Sequence, residues 1–131
     1  MGYQKADSNK DYALILGASS GFGEAVALEL SSEGFNILGV HMDRGAGLTK
    51  VEQIKRQITD HKVEALYFNL NAASDKNREQ VIQRCQDHFK IKNIDGKIKV
   101  VLHSLAFGSL APYIHNDPKE RLSQKQMDMT L

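Results

Sequence analysis

Short apolar runs alternate with amphipathic stretches between residues 12 and 102. The apolar runs have the length of buried strands, and the stretches between them repeat apolar residues at helical spacing. Strands are predicted at residues 12–16, 36–40, 63–70 and 98–102. Buried strands that alternate with helices predict a parallel sheet covered on both faces. Right-handed crossovers then give the strand order 3-2-1-4, which is the first half of a doubly wound α/β fold.

Each of the three predicted helices has one apolar face that would pack on the sheet. The expected packing residues are Ala25, Val26, Leu28 and Leu30 in the first helix, Leu48, Val51, Ile54 and Ile58 in the second, and Val81, Ile82, Cys85 and Phe89 in the third. Ser74 or Asp75 is expected to cap the third helix. Because Cys85 lies on an apolar face, its thiol is predicted to be buried and unreactive.

Three glycines punctuate the turn between the first strand and the first helix. In this position Gly17 would allow a sharp turn, Gly21 a close approach of the backbone to a ligand, and Gly23 tight packing of helix on strand. A helix that begins directly after a parallel strand presents unpaired N–H groups and the positive end of its dipole. The segment 17–23 is therefore predicted to bind the pyrophosphate of a dinucleotide.

Composition narrows the possible settings and partners. The chain has 131 residues, of which 41% are hydrophobic and 25% charged, as in an ordinary globular domain. A net charge of +1 gives no argument for a nucleic-acid or membrane partner. No membrane-length apolar run, signal-peptide core or metal-ligand spacing is visible, and the single cysteine excludes an internal disulfide. A cytoplasmic domain over residues 12–131 is expected, preceded by a flexible tail over residues 1–11.

The spacing G-x-x-x-G-x-G at residues 17–23 resembles the cofactor loop of the short-chain dehydrogenase/reductases, and the similarity continues to the end of the chain. This resemblance implies an NAD(P)-binding Rossmann-type fold and an oxidoreductase activity. The residues that it implies at the cofactor are Gly17, Ser19, Ser20, Gly21, Phe22, Gly23, His41, Arg44, Asn69, Leu70, Ser104, Leu105 and Ala106.

The end of the second strand bears on the choice of cofactor. A carboxylate there binds the ribose 2′-OH of NAD and repels the 2′-phosphate of NADP. His41 takes that place by alignment with the family, and Arg44 could offer a guanidinium to a phosphate. Asp43 is close by, and Ser20 stands where NADP-binding members often have a cation. NADP is therefore the expected cofactor, with NAD as the alternative.

The sequence after the fourth strand suggests a substrate class. His103-Ser104-Leu105-Ala106-Phe107 is similar to the His-Ser-hydrophobic-Gly-Phe sequence of the enoyl-acyl-carrier-protein reductases, whereas the spacing of the glycine loop is that of the main branch, which includes ketoacyl reductases. An acyl-thioester substrate is the resulting expectation. The ring of His103 is expected to have a structural role and to bond nearby backbone.

The Tyr–Lys pair that carries proton transfer in the family is not found. Lys119 follows Tyr113 by six residues, but no helical pattern surrounds them. No catalytic residue is therefore expected in this chain, which is interpreted as the N-terminal portion of a longer, homo-oligomeric reductase. Two alternatives remain open: a non-catalytic nucleotide-binding module, and a methyltransferase using S-adenosylmethionine, which His41 disfavours because that class requires an acidic residue there.

Overall fold

The computed structural model describes residues 6–105 of the chain. Four strands and three helices alternate along this part of the sequence. They are β1 (Asp11–Leu16), α1 (Gly21–Ser32), β2 (Asn36–His41), α2 (Ala46–Thr59), β3 (Ala65–Asn69), α3 (Asp75–Lys92) and β4 (Lys97–His103). The strands form one parallel sheet in the order β3-β2-β1-β4, so the predicted strand order is confirmed.

The strand register aligns the carboxyl ends of the strands. Leu16 at the end of β1 is paired with Val40 of β2 on one side and with His103 of β4 on the other. His41 at the end of β2 is paired with Asn69 at the end of β3. The segments that leave these four strands therefore begin at one edge of the sheet, where ligands bind in open α/β sheets.

Both faces of the sheet are covered by apolar side chains, which alternate along each strand. Ala13 and Ile15 of β1 face α1 and α2, where the core includes Ile54 and Ile58. Tyr12 of β1 belongs to the second core, which lies under α3. This two-sided burial explains why the inner strands read as continuous apolar runs in the sequence.

The packing face of α1 differs from the predicted one. Its buried residues are Gly23, Ala27 and Ser31, which follow one another at four-residue spacing. Val26, Leu28 and Leu30 pack only at the margin of the core, and Ala25 is exposed. Small side chains on the inner face let the helix axis come close to β1, which the count of large apolar residues did not reveal.

The other two helices largely follow the sequence prediction. Ser74 caps α3, since its hydroxyl accepts a hydrogen bond from the Asn77 N–H at 3.3 Å. Leu48 and Ile82, however, are 45% and 56% exposed. Ile82 lines a groove beside β4 that no described element covers.

No helix within residues 6–105 combines the length and apolar character needed to cross a membrane.

Residues 6–10 do not form the free tail that the sequence suggested. The N–H of Ala6 donates to the carbonyl of Glu33 at 3.2 Å, and the amide of Asn36 donates to the carbonyl of Ser8 at 2.9 Å. These bonds hold the segment against the turn between α1 and β2. Residues 1–5 lie outside the described part of the chain.

Cys85 is buried on the face of α3 that packs on the sheet, and burial raises the pKa of its thiol to about 11. Because only the thiolate reacts, the reactive fraction at pH 8 is about 100-fold smaller than for an ordinary cysteine. Alkylation of the native chain by iodoacetamide is therefore expected to be at least about 100-fold slower than that of a Cys85→Ser, Ile91→Cys variant. Ile91 is 84% exposed, so its replacement provides the accessible thiol for comparison. Equal rates would contradict the buried position.

Candidate functional site

The glycine loop begins with a turn that the sheet itself stabilises. Gly17 has a φ of +90°, which favours glycine. Its N–H donates to the carbonyl of Val40 at 2.8 Å, and the N–H of Ala18 donates to the same oxygen at 3.1 Å. These two N–H groups of the segment predicted to bind a pyrophosphate are therefore already bonded within the sheet. The available donors begin at Ser19.

The segment after β4 lies directly against the glycine loop. The N–H of Ser104 donates to the carbonyl of Leu16 at 2.8 Å. A Cβ atom on Gly17 would overlap the carbonyl oxygen of Ser104 and lie 3.2 Å from a methyl group of Leu105. A side chain at position 17 would therefore separate the two segments, and glycine keeps Ser104 and Leu105 beside the loop.

The start of α1 is open. Ser20 precedes the helix in an extended conformation, and its side chain makes no capping hydrogen bond. The N–H groups of Gly21, Phe22 and Gly23 donate to no acceptor within residues 6–105. A Cβ atom on Gly21 would meet no atom of the described residues within 4 Å, and Phe22 is 67% exposed. An anion can therefore reach several unpaired N–H groups at the positive end of the helix dipole.

The negative charge of the acidic side chain in the first turn of α1 is offset by a neighbouring cation. Glu24 is the acidic residue of the first turn, and its carboxylate lies 2.9 Å from the ammonium group of Lys50 on α2. Both groups are partly exposed, so the pair adds little to stability. Its relevance is electrostatic, because the neighbouring cation offsets a charge that would oppose a phosphate.

The segment that leaves β2, residues 41–44, is tied to the end of β3. The side-chain amide of Asn69 donates to the carbonyl of Asp43 at 3.1 Å, and its oxygen accepts from the N–H of Asp43 at 3.0 Å. The N–H of Leu70 donates to the carbonyl of His41 at 2.8 Å. The side chain of Asn69, which was expected to contact the cofactor, instead holds this segment in place. Sequence reasoning missed that role because it depends on a tertiary contact.

Side chains of the segment 41–44 alternate between the protein and the solvent. His41 is buried, with its Nδ1 3.0 Å from a carboxylate oxygen of Asp43. Met42 and Arg44 are exposed. Arg44 makes no ion pair with any residue that the structure describes. The charged group that this segment presents outward is therefore a guanidinium.

Tyr67 supports the glycine loop and was not foreseen. Its ring occupies the space above Gly39 of β2, where a Cβ atom would lie 2.6 Å from the ring, and its hydroxyl lies 3.5 Å from the carbonyl oxygen of Ala18. Burial raises the pKa of Tyr67, so the hydroxyl stays protonated at neutral pH. The glycine inside a buried strand was the available signal, since such glycines mark close approaches.

The predictions for His103, for the residues after it and for the other cofactor residues have different outcomes. His103 is exposed at the end of β4, and its ring makes no hydrogen bond to a residue within the described range, so the expected bond to backbone is not found. Ala106 lies outside the described residues, as do Tyr113 and Lys119. The remaining predicted cofactor residues, from Gly17 to Leu105, all lie at or beside the carboxyl edge of the sheet.

Comparison with known proteins identifies the family to which this arrangement belongs. The family model of the short chain dehydrogenases matches residues 11–128, almost the whole chain. The chain belongs to the short-chain dehydrogenase family. Membership decides against the methyltransferase alternative and agrees with the parallel sheet and its glycine turn.

Relatives of the chain within this family carry several names. The chain is 32% identical over 123 residues to an enoyl-[acyl-carrier-protein] reductase [NADH] 2 of Vibrio parahaemolyticus, covering 86% of this chain and 29% of the relative. It is 23% identical over 105 residues to a (+)-neomenthol dehydrogenase of Arabidopsis thaliana, covering 80% and 33%. The chain thus spans about a third of the length of these curated relatives.

A solved alcohol dehydrogenase from the archaeon Thermococcus sibiricus has a similar fold. The TM-score is 0.66 at 24% identity, and the match covers 92% of this chain and 45% of that one. The similarity supports the assignment of the fold.

Proposed function

We propose that the protein containing this chain is an NAD(P)(H)-dependent oxidoreductase in which residues 6–105 hold most of the dinucleotide. One observation carries this proposal: the open start of α1, where Gly21 leaves room and the N–H groups of residues 21–23 have no acceptor in the described part of the chain. A pyrophosphate supplies oxygen acceptors and negative charge, which is what this helix terminus lacks.

The positions of the other predicted residues suggest how the dinucleotide would be oriented. The pyrophosphate would lie over Ser19, Ser20 and the start of α1, with the adenosine toward Leu70 and the segment 41–44. The nicotinamide ribose would lie toward Ser104, Leu105 and Ala106. Asn69 would contribute by fixing the wall of the adenosine site, since its amide groups are already bonded to Asp43.

NADP is the proposed cofactor, with NAD as the alternative. Arg44 is exposed and unpaired within the described residues, and the carboxylate of Asp43 is already bonded to His41. A guanidinium without a competing carboxylate favours a 2′-phosphate. The Thermococcus structure contains 5-hydroxy-NADP, whereas the Vibrio relative is named for NADH, so this chain's own residues provide the argument.

An acyl thioester, either enoyl or 3-oxoacyl, is the proposed substrate. The Vibrio relative is named an enoyl-[acyl-carrier-protein] reductase, and the segment from His103 to Leu105 resembles that branch. When bound, the reduced nicotinamide supplies a hydride to a polarised double bond. Residues 6–105 would bind and orient the dinucleotide, while a tyrosine from outside this range would supply the proton, as the family resemblance implies.

Two measurements test the proposal at separate levels. Titration of the chain with NADPH, followed by calorimetry, is expected to give saturable binding, and its absence would refute the nucleotide site. The intact protein is then assayed with NADPH and crotonyl or acetoacetyl thioesters. Reduction of one of them supports the acyl substrate. Binding without reduction of either would refute that substrate class and favour the non-catalytic nucleotide-binding module.

A further inference from the structure

We propose that His41 makes the adenosine site selective for a 2′-phosphate by holding the carboxylate of Asp43 against the protein. This inference rests on the proposed function and specifies how its cofactor is chosen. His41 is then a positioning residue, because it acts through Asp43 rather than by contact with the cofactor.

The contact between the two side chains is anchored on the histidine side. His41 Nδ1 lies 3.0 Å from Asp43 Oδ2, and His41 is 5% exposed. The imidazole is confined further by Tyr67, whose ring centroid lies 5.8 Å away. A buried ring with aromatic packing has little freedom to follow the carboxylate outward. The carboxylate is therefore drawn toward the core.

The backbone of Asp43 is fixed independently. Asn69 makes two hydrogen bonds to it, through the N–H and the carbonyl of Asp43, at 3.0 and 3.1 Å. This paired contact sets the direction in which the side chain of Asp43 leaves the main chain. His41 needs only to select among the side-chain rotamers that this direction allows.

The second carboxylate oxygen of Asp43 lies against the first turn of α2. A Cβ atom on Gly47 would lie 2.9 Å from Asp43 Oδ1 and 3.0 Å from its Cβ atom. Glycine at position 47 therefore leaves the space that the inward carboxylate occupies. The side chain of Asp43 is 24% exposed in this position.

The inward position of the Asp43 carboxylate determines which charged group faces the ribose. With Asp43 held inward, Arg44 is the exposed charged residue of the segment 41–44. A carboxylate released from His41 could turn outward, accept a hydrogen bond from a ribose 2′-OH and repel a 2′-phosphate. The same chain thus contains groups suited to either cofactor, and the bond from His41 determines which of them is presented.

The test uses ADP-ribose and its 2′-phosphorylated form, because neither requires the nicotinamide side of the site. Calorimetric titration of the chain is expected to show at least tenfold tighter binding of the phosphorylated probe. His41→Phe keeps an aromatic ring but removes the nitrogen that bonds Asp43. It is expected to lower this preference at least tenfold, and the added substitution Asp43→Asn is expected to restore it, because the repelling charge is then absent.

Gly47→Ala approaches the carboxylate from the opposite side and leaves the buried histidine intact. Its methyl group would displace Asp43 Oδ1, so the preference should fall in this variant also. If His41→Phe does not fold, Gly47→Ala alone decides. A preference within twofold of the unmodified chain in the folded variants would overturn the role of His41. Failure of the unmodified chain to bind either ADP-ribose or its 2′-phosphorylated form would instead refute the proposed nucleotide site.

Discussion

Replacing Gly23 with alanine is expected to lower the free energy of unfolding by about 3 kcal/mol or more. The added Cβ atom would overlap the carbonyl oxygen of Gly17 and lie 2.8 Å from its carbonyl carbon. Both are backbone atoms, so no side chain can rotate away to relieve the overlap. Either the helix moves off β1 or the turn at Gly17 opens, and each movement breaks contacts in the core around Ile15 and Ala27.

The expected loss of stability is opposite in sign to the usual effect of replacing glycine with alanine in a helix, so it reports on the close contact at Gly23. Alanine in a helix is ordinarily more stable than glycine by about 0.5–1 kcal/mol, so a general helix effect would raise stability. Gly47→Ala in the first turn of α2 provides the comparison, because its methyl group would lie 2.9 Å from Asp43 Oδ1 and 3.0 Å from Asp43 Cβ, a milder approach than the overlap with backbone at Gly23, so a smaller loss of stability is expected. Denaturant unfolding of both variants measures the difference. A Gly23→Ala chain as stable as the parent would show that α1 does not approach the loop so closely.

The sheet could be predicted because its signals are local. Apolar runs of strand length, the glycine turn and the intervening helices fix a parallel order through the preferred crossover hand, and the observed order β3-β2-β1-β4 agrees. The face of α1 could not be read in the same way. Large apolar residues identify the buried face of a helix when the distance between helix and sheet leaves room for them. In α1 the buried residues are the small Gly23, Ala27 and Ser31, which allow the helix to pack close to the sheet.

The sequence was enough to predict a candidate site at the carboxyl edge of the sheet, but the contacts among its residues could not be predicted. Glycine spacing identifies the loop, yet Asn69 and Asp43 are 26 positions apart, and only the register of β2 with β3 brings them together. The bond of His41 to Asp43 is local, but its meaning depends on the burial of the ring. Residues that alignment assigns to the cofactor can therefore form hydrogen bonds with neighbouring residues of the site instead of contacting the cofactor themselves.

Gly21→Asp is expected to weaken the binding of ADP-ribose about 100-fold without destabilising the fold. Gly21 has a φ of +56°, which aspartate and asparagine tolerate better than other residues that carry a Cβ atom. A carboxylate at a helix start is favourable to the helix by about 0.3–1 kcal/mol. Two unit charges 4 Å apart repel by about 1 kcal/mol in water and about 4 kcal/mol near a protein surface, which brackets the expected loss.

Gly21→Asn separates charge from bulk, because it has the same shape and no charge. It is expected to weaken binding about tenfold, since its side chain enters the space that the glycine leaves open. Gly34→Ala serves as the remote control, as Gly34 also has a positive φ but lies beyond the other end of α1. Calorimetric titration gives the affinities, and thermal unfolding confirms that each variant is folded. If Gly21→Asp and Gly34→Ala bind ADP-ribose equally well, the anion does not lie at the start of α1, because a carboxylate placed there could not be neutral toward a bound diphosphate.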